Sequence, residues 1–317
     1  MIGSACTPEP EITRAEFLKL MGAAGVLLAA GGGEPAVAAP AGAMLTRAIP
    51  KSGEALPVVG LGTWQTFDVG NDAAALAQRR EVLTRLFDAG GKVVDSSPMY
   101  GRAEAVVGEL LAGMGRRRDA FIATKVWTTG RDAGVRQMQS SAAKLKAPAI
   151  DLMQVHNLVD VWTHLETLKK WKQEGRVRYL GITHYTAGAF AELEAVMRAE
   201  PLDFVQLNYS LADRAAERRL LPLAAERGIA VLVNVPFGGG GLLRRLARVP
   251  LPDWAGALGC ESWSQTLLKY VLGHPAVTCA IPGSGDPAHM ADNSRAASEP
   301  LPDEALRRRM AADWDRL

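Results

Sequence analysis

The chain has 317 residues, and its 36 Lys+Arg nearly balance its 34 Asp+Glu. That balance excludes the basic footprint of a nucleic-acid binder and the field that draws a polyanionic partner. At 48% hydrophobic the chain can bury one large core, and its 3 cysteines lack metal-type spacing such as C-x-x-C, so no metal site is expected.

Residues 1–43 differ from the rest. Thr13-Arg14-Ala15-Glu16-Phe17-Leu18-Lys19 precedes an apolar run from Leu20 to Ala30, followed by Gly31-Gly32-Gly33 and an Ala/Pro-rich stretch containing Ala36-Val37-Ala38. The run falls short of the about 20 residues of a membrane-spanning helix. Small-x-small is the form a signal peptidase accepts. The segment therefore reads as an export leader, with a periplasmic destination and no integral membrane segment in the mature chain. The alternative is an uncleaved tail on a cytoplasmic enzyme. The segment resembles the twin-arginine leader, [ST]-R-R-x-F-L-K, with Ala15 in place of the second arginine.

From Met44 to the end, residues 44–317 read as one domain. Met44–Ile49 and Leu56–Val59 flank the turn-rich Pro50-Lys51-Ser52-Gly53, which predicts a small β-hairpin. Eight short apolar runs then alternate with helical patterns. The runs are 58–61, 92–95, 120–124, 150–155, 179–182, 204–207, 229–233 and 277–281. The first helix is expected over 72–88, with Leu76, Leu83, Leu86 and Phe87 on one side and Gly90-Gly91 as its stop. Gly108 in the second is expected to let that helix approach the sheet. The fourth carries Trp162, Leu165, Leu168 and Trp171 along one side. Asp286-Pro287 opens a late helix with a capping acid and a proline at the first helical position. Arg116–Arg118 and Arg307–Arg309 read as solvated surface. Apolar strands alternating with helices mean a parallel sheet. Eight such units close most simply into an α/β fold of the (β/α)8 barrel type.

In such a barrel all strand C-termini meet at one face, where active sites sit. Polar residues stand at those ends while the strand bodies stay apolar. They are Asp95, Lys125, His156, Thr183-His184, Gln206 with Asn208, Asn234 and Ser284, with Tyr100 in the loop after Asp95. Taken singly, each has a plain reading as a cap, a packed ring, a surface charge or a core imidazole. Together they can do chemistry. A lysine beside a tyrosine favours the phenolate and lowers the phenol's pKa from about 10. A carboxylate keeps that lysine charged, and a neutral histidine can hydrogen-bond the same substrate oxygen. Such a set protonates a carbonyl oxygen while something else adds to carbon, most simply a hydride from a nicotinamide.

Asp95, Tyr100, Lys125 and His156 on consecutive strands resemble the catalytic tetrad of the aldo-keto reductases. Gly60-Leu61-Gly62-Thr63-Trp64 is similar to that family's first-strand motif. Asp95-Ser96-Ser97-Pro98-Met99-Tyr100-Gly101, with Glu104 and Gly108, is similar to its D-[ST]-[AS]-x-x-Y-G signature. The similarity runs from about Met44 to Ala297. It implies that Tyr100 is the general acid/base, that Lys125 and Asp95 tune it, and that His156 orients the carbonyl. It implies that Trp64 and Trp127 line the pocket for a small carbonyl substrate, Trp127 having rim packing as its alternative.

The resemblance also implies cofactor contacts. Thr183, His184 and Gln206 fall where the family holds the nicotinamide carboxamide, His184 standing in for asparagine, with a rim histidine as its alternative. Tyr209 falls where an aromatic ring stacks on the nicotinamide. The glycine-rich Pro236–Leu242, with Gly238 and Gly240, would meet the pyrophosphate, or else be a flexible loop. Ile281, Gly283, Ser284, His289, Asp292 and Asn293 resemble the final cofactor motif. Many members carry lysine and arginine where this chain has Gly283 and His289, which weakens NADP against NAD; NADP is expected on family grounds. Two other readings stay open. One is a Schiff-base aldolase with Lys125 as nucleophile. The other is a non-catalytic nicotinamide-binding sensor. Cys260 and Cys279 are expected to stay unbridged.

Overall fold

Strands β1 (Thr46–Ala48) and β2 (Ala55–Pro57) form the expected antiparallel hairpin, with Thr46 opposite Pro57. Gly53 supplies the positive φ, 74°, that the connecting turn requires. The computed structural model describes residues 44–317; the leader expected over residues 1–43 lies outside the described residues.

Eight parallel strands follow in sequence order: β3 (Leu61–Gly62), β4 (Val93–Asp95), β5 (Phe121–Val126), β6 (Ile150–His156), β7 (Val177–Thr183), β8 (Phe204–Asn208), β9 (Ala230–Asn234) and β10 (Cys279–Ala280). The chain from Val58 to Gly62 closes the sheet on the segment around β10. Parallel bridges join Val59 to Ala280 and Gly62 to Gly283. The predicted barrel is thus the observed one.

Strand alternation divides the core in two. Along β5, Phe121 and Ala123 face the barrel interior while Ile122 and Val126 pack outward against helices. The interior cluster also takes Val93, Leu152, Phe204, Leu232 and Ile281, and is plugged by Ile49 and Leu56 of the hairpin region. Phe121, Tyr179 and Phe204 fill its lower layer with ring centroids 5.5–6.1 Å apart. Burying one such ring or a leucine is worth about 1.5–3 kcal/mol. The apolar floor thereby fixes where the polar ends of the strands come to lie.

The helices are α1 (Ala73–Asp88), α2 (Ala103–Gly113), α3 (Arg131–Lys144), α4 (Val161–Gln173), α5 (Phe190–Ala199), α6 (Leu220–Glu226), α7 (Gly241–Leu246), α8 (Asp253–Ala257), α9 (Trp263–Leu272), α10 (Pro287–Arg295) and α11 (Glu304–Trp314). Side-chain caps set several starts. Asp72 accepts from Ala75 N at 2.7 Å, and Asp286 from Ala288 N at 2.7 Å ahead of Pro287. Such caps are worth about 1 kcal/mol each.

Three expectations need correction. Trp162 is 53% exposed, because a strict repeat of three drifts around a helix; the buried side of α4 is Val161, His164, Leu165, Leu168 and Trp171. Gly108 serves helix–helix contact, since a Cβ there would lie 2.0 Å from the Lys144 carbonyl oxygen at the end of α3. Arg307 is buried, its guanidinium bonded to the hydroxyl of Tyr209 and the carboxylate of Glu217. Cys260 and Cys279 are free and buried, Cys279 within the interior cluster.

Candidate active site

Period-two alternation carries the interior row of each strand up to a polar terminus. Val93 leads to Asp95, Ala123 to Lys125, and Leu152 through Gln154 to His156. The Lys125 side chain is 0% exposed, and its ammonium donates to Asp95 Oδ2 at 2.6 Å and to the Ser96 carbonyl oxygen at 2.7 Å. The other carboxylate oxygen of Asp95 accepts from Gln206 Nε2 at 2.9 Å and from Gln154 Nε2 at 3.2 Å. The Thr63 hydroxyl lies 3.0 Å from the Asp95 carbonyl oxygen and 2.9 Å from Ser96 Oγ, joining the first strand's loop to this centre.

Tyr100 is delivered by a tight turn. Its N–H donates to the Ser97 carbonyl at 3.0 Å, and Gly101 follows with φ 59°. A Cβ on Gly101 would stand 2.2 Å from the Asp68 carboxylate, which itself accepts from Arg102 N at 2.9 Å. Glycine is therefore required on both steric and conformational grounds. The ammonium of Lys125 lies 5.1 Å from the Tyr100 ring centroid. The edge of the His156 ring meets Tyr100, centroids 5.9 Å apart at 84°, and Trp127 leans over the same imidazole at 6.5 Å. The structure thus brings Asp95, Tyr100, Lys125 and His156 together.

The charges sort by surroundings. Burial pulls the Lys125 ammonium down, but the Asp95 carboxylate and the Tyr100 phenol together outweigh it, and the net shift is upward. Burial is also the largest influence on Tyr100. It raises the phenol's pKa, and Asp95 adds to the rise while Lys125 opposes it, so the net direction is upward. This corrects the expectation of a lowered phenol: Asp95 neutralises much of the lysine's effect, and desolvation wins. The result is a phenol that keeps its proton, as a general acid must. Burial, with the Lys125 charge and His184, pushes His156 down to about 2, so the imidazole is neutral.

The remaining strand ends form the other half of the mouth. Thr183 is buried and its hydroxyl donates to Gln206 Oε1 at 3.1 Å, so Gln206 links Thr183 to Asp95. Asn208 and Asn234 stand opposite each other in register at the ends of β8 and β9, and the side-chain carbonyl oxygen of each is buried without a partner. His184 is half-buried, its ring stacked on Tyr185 at 5.5 Å, with burial lowering its pKa. Trp64 and Trp127, 50% and 41% exposed, stand at the rim with ring surface open to a ligand.

Tyr209 does not belong to this mouth. It is 0% exposed and packs on Tyr270 at 5.9 Å, and its hydroxyl engages Glu217 and Arg307 behind the sheet. No face of that ring is open to stack on a nicotinamide. The residue follows Asn208, and alternation turns it outward.

The glycine-rich loop has three successive positive φ values, 57°, 64° and 82° at Gly238, Gly239 and Gly240. Its N–H groups at Gly238, Gly240, Gly241 and Leu242 bond to the loop's own carbonyls, while Pro236 and Leu242 are buried beneath it. A Cβ at Gly239 or Gly241 would meet open space, while one at Gly238 or Gly240 would meet Leu242 or Arg244. Ile281 lies in the interior cluster and Gly283 bridges to Gly62 at the closing seam. Ser284 Oγ donates to the Asp286 carbonyl at 2.9 Å. His289 is exposed on α10, and Asn293 is buried there. Asp292 accepts from Ser262 Oγ and Gln265 Nε2, both at 2.6 Å, and so ties α10 to the start of α9.

Several site residues were not singled out from the sequence. Ser97 lies 3.0 Å from His156 Nδ1, and Gln154 reaches Asp95. The signal for Gln154 was present, since it lies two positions before His156 on the same strand and therefore on the same face. Ser97 has no such signal, because its contact depends on how the loop folds.

The chain has relatives among known proteins. The model of the aldo/keto reductase family matches residues 58–313. The methylglyoxal reductase YeaE of Escherichia coli is 28% identical over 252 residues, covering 75% of this chain and 84% of that protein. An aldo/keto reductase from Klebsiella pneumoniae, solved with NADP and acetate, superposes with a TM-score of 0.70 at 28% identity, covering 83% of this chain and 92% of that one. A second Klebsiella aldo-keto reductase, solved with NADPH, gives a TM-score of 0.71 at 26% identity, covering 86% and 95%. With the strand-end cluster assembled on a closed eight-stranded barrel and the family pattern spanning nearly all of it, the chain belongs to the aldo/keto reductase family and is an oxidoreductase.

Proposed function

We propose that this enzyme reduces the carbonyl of a small aldehyde or ketone with NADPH, taking the proton from Tyr100. The observation that carries the reading is the protonated, half-buried Tyr100 set against the Lys125–Asp95 ion pair and the neutral His156. The acceptors at the other half of the mouth fit the cofactor. Asn208 and Asn234 have amide oxygens lacking donors, and a carboxamide brings two N–H groups. Nicotinamide, when bound, supplies the hydride that adds to the carbonyl carbon.

The chain's own residues do the rest. His156 and Tyr100 bind the carbonyl oxygen and orient it. Tyr100 gives its proton as negative charge develops there, and the fixed Lys125 ammonium stabilises the phenolate that remains. Asp95, held by Lys125 and two glutamines, keeps that ammonium in place. Trp64 and Trp127 wall the substrate side. NADPH is chosen over NADH from the relatives solved with NADP or NADPH.

The aldolase alternative needs an unprotonated, reachable amine. Lys125 is neither: it is fully buried, ion-paired and shifted upward. The test is to mix the purified chain with NADPH, and separately NADH, and a panel of aldehydes and ketones. Carbonyl-dependent loss of reduced-nicotinamide absorbance supports the reading. Cofactor binding without consumption across the panel would favour the sensor instead.

A further inference from the structure

We propose that Ser97 is a positioning residue that sets the tautomer of His156, so that Nε2 carries the proton and donates to the substrate's carbonyl oxygen. Ser97 and His156 are both buried, and Ser97 Oγ lies 3.0 Å from His156 Nδ1. Among the described residues Nδ1 has no second hydrogen-bond partner. A serine hydroxyl and an imidazole nitrogen can share that bond either way, and the direction decides what the other nitrogen offers.

The surroundings choose the direction. The Met99 N–H points at Ser97 Oγ from 3.4 Å, on the acceptor side of the hydroxyl. The hydroxyl has one proton to give, and among the described residues its only acceptor within reach is His156 Nδ1, so the proton goes there. Nδ1 is then an acceptor, and a neutral imidazole with an accepting Nδ1 holds its single proton on Nε2. The ring edge beside Tyr100 and beneath Trp127 therefore presents an N–H to the mouth. In the opposite tautomer Nε2 would present a lone pair to a carbonyl oxygen, and the two would repel. Ser97 touches neither substrate nor cofactor; it acts through His156.

The proposal rests on the carbonyl-reductase reading for its purpose but not for its measurement. Long-range proton–nitrogen NMR on the 15N-labelled full-length chain reports which ring nitrogen is pyridine-like. The His156 signals are assigned by their loss in His156→Gln. A pyridine-like Nδ1 and a pyrrole-like Nε2 in the unmutated chain are expected. Ser97→Ala should mix the two tautomers and lower kcat about tenfold, the effect of one buried hydrogen bond, with cofactor affinity unchanged. Ser97→Cys, a weaker donor, should fall between. A pyrrole-like Nδ1 in the unmutated chain overturns the proposal even if no variant folds. So does Ser97→Ala with an unchanged tautomer, whatever its stability. If the unmutated chain consumes no NADPH with any carbonyl, the functional reading fails while the tautomer result still stands on its own signals.

Discussion

Replacing Lys125 with methionine tests the electrostatic core of the site. Methionine keeps the length of the lysine stem and suits the apolar interior around Ala123 and Leu152. It removes the donor 2.6 Å from Asp95 Oδ2 and the donor 2.7 Å from the Ser96 carbonyl. The carboxylate would keep Gln206 and Gln154 on its other oxygen, yet its charge would have no counter-charge in a fully buried setting. Breaking a buried pair in this way costs about 3–5 kcal/mol. Adding Asp95→Asn removes the stranded charge while keeping an oxygen for the two glutamines, so roughly half of the loss should return. Urea unfolding followed by Trp fluorescence measures both variants, with the slope of the transition checked for constancy. A loss below about 1 kcal/mol in Lys125→Met, a value typical of solvent-exposed pairs, would refute the claim that the pair is dry.

Three further outcomes follow from the structure. The folded-state pKa of His156 is pushed down to about 2 from 6.5, so below pH 6.5 the unfolded chain binds a proton that the folded chain refuses. Stability is therefore full above pH 6.5 and falls as the pH drops, by up to about 1.4 kcal/mol per pH unit for this group. His274, pushed down to about 4, acts in the same direction. Urea midpoints at about pH 7.5 and about pH 5 should show the fall, and His156→Gln should shrink it; a midpoint that rises toward acid contradicts the buried neutral imidazole. Gly108→Ala places a methyl 2.0 Å from the Lys144 oxygen. It should lose about 1–3 kcal/mol in urea unfolding despite alanine's better helix propensity, and a stabilised variant would disprove the close contact. Tyr209→Phe removes the hydroxyl held by Arg307 and Glu217. It should cost about 1–2 kcal/mol of stability and leave NADPH affinity, read by fluorescence quenching, unchanged; a clear drop in affinity would restore Tyr209 to the cofactor site.

The barrel was legible because its signals are periodic. Apolar runs such as Phe121–Thr124 lead to a polar residue, and eight of them alternate with helical patterns, so the ends of the strands had to converge. Asp95 and His156 end their strands, Lys125 is next to last on its own, and all three followed directly. What alternation and local spacing did not reveal were contacts across loops. Ser97 meets His156 only because the Tyr100 turn folds back under it. Tyr209 was misplaced because it lies one residue past the end of β8, where a shift of one reverses the face. The direction of the Tyr100 pKa shift needed the burial and the Asp95 position together, which no linear pattern supplies. Arg307 read as surface charge because its partners, Tyr209 and Glu217, lie some 90 or more residues away along the chain.

The most direct test of the central claim compares the unmutated chain with Tyr100→Phe. The substitution deletes one hydroxyl and leaves the ring that packs beside His156 and Lys125. Two quantities are read: NADPH affinity by fluorescence quenching, and carbonyl-dependent NADPH consumption at saturating cofactor. The account predicts unchanged affinity and a loss of consumption of at least about 100-fold, the lower bound for a positioned general acid. Near-full consumption in Tyr100→Phe would contradict it, and would mean that the proton reaches the carbonyl oxygen from another group.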